Sequence, residues 1–143
     1  MTQDLIHKIT NKTAFLGFLI LFVNFFAMKY HFYYSVWWFD MPMHLLGGFF
    51  VTFIGFLLYK KMVFLYDIIP LFVFAIIFIF VIGVAWEFFE FDIISKMITF
   101  RFQGILDTFS DICFDLAGSA LACFYVSKKM LEYSRTSVDN HAT

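Results

Sequence analysis

Four long apolar stretches, set apart by short polar punctuation, account for most of the chain. They lie at about residues 9–28, 41–59, 68–87 and 108–127, and each approaches the ~20 residues that a bilayer-spanning helix needs. Their starts are marked. Asp40 precedes Met41 and Pro42, a capping residue followed by proline in the first turn. Asp67 stands similarly before Pro70, Asp107 and Thr108 open the last stretch, and Lys60 and Lys61 close the second. The pattern predicts an all-α fold, a four-helix transmembrane bundle in one membrane domain. The polar tail 128–143 is expected to fray beyond Tyr133.

Two segments between the helices are unusual. Tyr30–Phe39 (YHFYYSVWWF) is densely aromatic, the composition expected at a membrane–water interface. Phe91–Leu106 is apolar but broken by Asp92, Lys96, Arg101 and Gly104, too polar to span and too apolar for a free loop. Both are expected on the same side of the bilayer, where either could lie flat across whatever the helix ends form.

Composition agrees with a membrane protein. Hydrophobic residues make up 62% of the chain and aromatic residues 24%, while charged residues are only 15%, against roughly 25% in an ordinary soluble domain. A net charge of −1 and the lack of a basic run argue against a nucleic-acid partner. Cys113 and Cys123 stand about 15 Å apart along one helix, too far for a disulfide, and read as packing residues. The apolar run after Lys8 and Lys12 is not followed by a small-residue cleavage pattern, so it reads as a retained anchor.

Lysine and arginine set the expected orientation. Lys8, Lys12, Lys60, Lys61, Lys128, Lys129 and Arg135 fall on one side, and Lys29, Lys96 and Arg101 on the other. This bias predicts both termini in the cytoplasm. The expected location is the inner (cytoplasmic) membrane.

The acids change the picture most. Of eleven Asp and Glu residues, Asp40, Glu87, Glu90, Asp92, Asp107, Asp111 and Asp115 sit at the ends of the apolar stretches or inside them, all on the expected outer side. A span ending near Ser127 must take Asp111 and Asp115 into the hydrocarbon, about 5 and 10 Å below Thr108. An Asp at the helix centre costs about 2.5–3.5 kcal/mol on the insertion scale and less near the interface, so such residues need a proton, a cation or a basic partner.

Spacing gathers these groups. Asp107, Asp111 and Asp115 fan over about 80° of one helix face, continued by Gly118 and Ala122. Asp40 and His44 share a face with Gly47, and Glu87 and Glu90 one with Gly83. Small residues let helix backbones approach closely in membranes, so three helices can converge with their acids inward. Capping accounts equally well for Asp40 and Asp107, solvation at the interface for Glu90 and Asp92, and a backbone hydrogen bond for His44. Glu87, Asp111 and Asp115 are beyond the reach of caps and solvation.

One imidazole among carboxylates suits a divalent metal ion, with Mg or Mn favoured by the oxygens and Zn admitted by the histidine. The candidate ligands are His44, Glu87, Glu90, Asp111, Asp115 and Asp40. Without metal, the same set would share protons. No phosphate-binding glycine loop, zinc-protease helix, serine-hydrolase elbow or haem-attachment motif is present.

The order Asp40, His44, Gly47-Gly48, then Trp86-Glu87 and Glu90, then Asp107-Thr108, Asp111, Asp115 and Gly118 resembles the small bacterial membrane proteins of the YjdF-like type. It is also similar to the broader VanZ-like group, named for a teicoplanin-resistance protein. The resemblance runs from Asp40 to Ala122, and the first helix carries no signature. Glu90 stands where the VanZ-like pattern has Gln, and Asp115 where it has Asn, which favours the YjdF-like branch and makes this site more acidic. The resemblance implies a multi-pass protein linked to the cell envelope and brings no defined reaction.

Three functions follow as expectations. In the first, the pocket binds a divalent cation and binds or processes an envelope lipid or precursor headgroup, with Glu87, Asp111, Asp115 and His44 as ligands or acid–base groups and Asp40 and Glu90 in support. In the second, the acids relay protons or cations through a small carrier or channel subunit. That ranks lower, since little polarity beyond Thr52 and Ser119 continues inward. In the third, the protein is structural, with its acids paired to Lys96, Arg101 or another subunit. The bilayer is the expected partner throughout, and a second copy of the chain is a further candidate.

Overall fold

Lipid offers the backbone no hydrogen-bond partners, so a spanning segment must satisfy its own amides within a helix. The computed structural model follows that rule and describes residues 3–62, 68–90 and 104–139, with side chains over 6–59, 70–90 and 104–132. Helix α1 covers Gln3–Lys29, a short α2 Phe32–Ser35, α3 Asp40–Met62, α4 Ile68–Phe89 and α5 Ile105–Asp139. Four of them are long and apolar enough to cross a membrane, over Ile6–Lys29, Asp40–Tyr59, Pro70–Phe89 and Ile105–Glu132. The protein is an all-α, multi-pass membrane protein.

The helices outrun the expected boundaries where nothing in the sequence stops them. Helix α1 begins at Gln3, ahead of its apolar run, and α5 continues through the polar stretch after Ser127 to Asp139. That stretch has no proline or glycine and includes several good helix formers. Gly104 precedes α5 and accepts from the amide of Asp107, so Asp107 lies in the first helical turn rather than ahead of it. Residues 91–103, and with them Asp92, Lys96 and Arg101, lie outside the described residues.

Helix α3 is central. It packs against α1, α4 and most extensively α5, and α4 also packs on α5. Helices α3 and α5 run side by side in the same direction, with Gly48 meeting Asp115 and Phe53 meeting Tyr125 further along. The apolar core fills one half of the bundle, with Ile9, Phe53, Phe56, Tyr59, Leu71, Ala75, Ala122, Cys123 and Val126 buried together. At the same end Lys12 lies 4.7 Å above the Tyr125 ring. Phe15, Phe18, Ile77, Phe80 and Phe124 point outward, as suits a chain solvated by lipid. Both cysteines are free, Cys123 in the core and Cys113 on the outer surface.

Part of the aromatic segment does fold into a helix. His31 takes the left-handed conformation (φ 56°), which ends α1 and turns the chain into α2. Tyr33 is half-buried there, its ring edge-on to Phe39 at 5.1 Å and its hydroxyl donating to Asn24 Oδ1 on α1 at 3.0 Å.

Candidate metal centre

Two glycines decide how closely the acid-bearing helices meet. A Cβ built on Gly48 of α3 would coincide with the backbone carbonyl of Asp115, and one on Gly118 of α5 with that of Leu45. The helices therefore touch backbone to backbone. This contact carries the Asp115 side chain into a slot between α3 and α4, where its Oδ2 lies 2.8 Å from the Cβ position of Gly83 and its Oδ1 3.9 Å from that of Gly47. A side chain at position 83 would close that slot, whereas position 47 leaves room for a methyl group.

The slot brings Asp115 to His44. Asp115 Oδ1 lies 3.4 Å from His44 Nδ1, and Asp40 Oδ1, one turn back on α3, lies 3.6 Å from Nε2. His44 is only 6% exposed. An imidazole gripped at one nitrogen by a carboxylate has its ring orientation fixed, which leaves the other nitrogen aimed.

Around that ring the remaining acids form two groups. Ligand atoms of Asp40, His44 and Asp111 lie within 4.8 Å of one another, and so do those of His44, Glu87 and Glu90. Ligand atoms held at about 2.0–2.6 Å from one ion lie at most roughly 4–5 Å apart, so both groups are near ligating distance. Asp115 belongs to neither group and stands behind His44. Glu90, just past the end of α4, is buried and so not solvated at an interface. Asp107 is exposed and outside both groups, where its charge favours the start of α5.

Satisfaction of the acids is incomplete. The Thr108 hydroxyl donates to Glu87, joining α4 to α5. Glu87 Oε1 and Asp111 Oδ2 are nonetheless buried with no hydrogen-bond partner among the described residues, and Asp111 is only 2% exposed. A carboxylate oxygen buried without a donor is costly, and a cation is the partner its lone pairs accept best.

Residues 3–130 match a family described as predicted membrane protein, DUF2238. The chain belongs to the DUF2238 family. No curated protein and no solved structure matches it. The matched region of this DUF2238 chain takes in α1 to α4, most of α5 and every member of the acidic site.

Tyr33, Asn24 and Thr108 also take part and are not among the sequence candidates. Burial, reinforced by the nearby charges of Asp40 and Glu90, pushes the Tyr33 phenol above the ordinary range. It thus keeps its proton, which its hydroxyl donates to Asn24. Asn24 did carry a signal, since it is the one amide within the apolar run Ala14–Met28. Tyr33 carried none, because it stands in an aromatic segment that interface anchoring explains already.

Proposed function

We propose that the pocket binds a divalent cation and presents it to the anionic headgroup of an envelope lipid or lipid-linked precursor. One observation supports this most: Asp111, almost wholly buried, has no partner for Oδ2 among the described residues, beside His44 and Asp40. His44, Asp40, Asp111, Glu87 and Glu90 would hold the ion, and Asp115 would orient His44. A cation held by carboxylates can bridge them to a phosphate or activate a water, and a site opening at the membrane surface meets headgroups rather than acyl chains. The envelope role rests on the YjdF-like resemblance, which the DUF2238 family supports. The VanZ-like link rests on the residue pattern alone.

Metal analysis of protein purified without chelator tests this reading, together with melting in detergent under added Mg, Mn or Zn. Wild type should carry metal and melt higher when it is added, since a ligand of the folded state alone stabilises it. The Asp111→Ala, Asp115→Ala double variant should carry none and show no rise. A wild type that neither retains nor responds to any of these ions would leave the acids as protonated or structural groups.

A carrier is the second reading, favoured by one detail. Thr52, fully buried below His44 on α3, has a hydroxyl without a hydrogen-bond partner among the described residues. It ranks lower because Phe53, Phe56, Ala122 and Val126 pack tightly in the half of the bundle that a path would have to cross.

Orientation is part of the proposal and rests on the lysine and arginine bias. A Cys introduced at Ser35 should react with an impermeant thiol reagent from outside the cell, and one at Ser137 only after permeabilisation. Both are to be read in a background with Cys113 and Cys123 replaced. The opposite pattern would put the pocket on the cytoplasmic surface and exclude an outer-leaflet headgroup.

A further inference from the structure

The acids divide into two ligand groups rather than one. Asp40, His44 and Asp111 form the first, and His44, Glu87 and Glu90 the second, with His44 alone common to both. Each group has an oxygen without a hydrogen-bond partner among the described residues, Asp111 Oδ2 in the first and Glu87 Oε1 in the second. A single ion seated in the first group would relieve Asp111, and the Glu87 oxygen on α4 would stay buried without a partner.

The placement of the carboxylates points the same way. Asp40, Asp111, Glu87 and Glu90 come from three helices and surround His44 from two sides. With His44 ligating through Nε2, Asp115, 3.4 Å from Nδ1, serves as the hydrogen-bond acceptor on the other side of the ring. One ring nitrogen serves one ion, so the second ion would rest on the carboxylates of the other group.

Resting on the divalent-cation reading above, we propose that the site holds two divalent cations, one in each ligand group, with His44 at the junction. In two-metal sites the ions stand about 3.5–4 Å apart and clamp both oxygens of a displacement at phosphorus or carbon. The two groups share His44, and the ligand atoms of each lie within 4.8 Å of one another, so ions seated in them would be close neighbours. The ligand class that follows is an anionic oxygen bridging two ions, as in a phosphate ester, rather than a neutral headgroup.

Two measurements on the full-length protein in detergent test it. Metal analysis after Mn loading and desalting should give about two ions per chain in wild type, and about one in Glu87→Gln and in Asp111→Asn, each of which removes one orphaned oxygen's charge while keeping its shape. Mn titration followed by electron paramagnetic resonance should show an isolated-ion spectrum at low loading that gives way to an exchange-coupled pair at saturation. The spectra need wild type only, so they decide the matter even if a variant fails to fold. One ion per chain with no coupled signal overturns the two-ion inference and leaves the single-cation reading standing. No bound ion overturns both. Loss of all metal in either single variant overturns the division into two half-sites.

Discussion

Gly48→Ala should severely destabilise the protein, whereas its neighbour Gly47→Ala should be tolerated. The two glycines are adjacent on α3 and differ in what faces them. A methyl group at Gly48 falls on the backbone carbonyl of Asp115, and backbone cannot rotate aside as a side chain can. The helices α3 and α5 must then separate along their most extensive contact. Overpacking costs typically 1–3 kcal/mol, and with no flexible neighbour to yield we expect the upper end, about 3 kcal/mol or more. For a chain of this size that is a fall in melting temperature of roughly 10 °C. At Gly47 the nearest atom to the new methyl is 3.9 Å away, an ordinary contact. Alanine there should be neutral or add some of the roughly 0.5–1 kcal/mol by which it exceeds glycine in a helix. Gly118→Ala should behave like Gly48→Ala, because its methyl meets the carbonyl of Leu45. Melting in detergent, with size-exclusion profiles as the check on folding, distinguishes them. Equal melting of the Gly47 and Gly48 variants would mean that the two backbones do not touch.

That contrast also marks where sequence reasoning reaches its limit. Periodicity identifies the small-residue faces and lays His44, Glu87 and Asp111 beside them, and the structure brings His44 within 4.8 Å of ligand atoms of both. Spacing along a helix cannot tell Gly47 from Gly48, since the difference depends on the depth at which a neighbouring helix crosses. It cannot separate Asp107 from Asp111 either. The two share a face at four-residue spacing, yet the first is exposed in the opening turn and the second is buried one turn on. Helix α1 carries no motif, and its contribution, the Asn24 contact with Tyr33, depends on the left-handed turn at His31. A histidine in that conformation is tolerated but not announced by its neighbours in sequence. The length of α5 is a matter of propensity, since the polar tail lost its helix only in an argument based on hydrophobicity.

Asp115→Asn should separate metal affinity from stability by moving them in opposite directions. The carboxylate occupies a slot that Gly83 keeps open, and it lies 3.4 Å from His44 Nδ1. Asn has nearly the same shape, so the slot and the α3–α5 contact survive the change. Without metal, the variant removes a buried charge from a cluster of like charges, and its melting temperature should equal or exceed that of wild type. Metal binding should suffer. A carboxylate at Nδ1 holds the proton there and raises the basicity of Nε2, the nitrogen left for an ion. An amide oxygen does this more weakly. An amide nitrogen turned to Nδ1 forces the proton onto Nε2 and blocks it as a ligand. Loss of such a supporting group typically costs about 10–100-fold in metal affinity, and we expect that range here. Competition against a fluorescent chelator gives the affinity, and melting with and without Mn gives the stability. Wild type should gain in melting temperature when Mn is added, and most of that gain should vanish in the variant. A variant that binds Mn as tightly as wild type would release Asp115 from any part in positioning His44. A variant that melts well below wild type without metal would make it instead a structural partner of the imidazole.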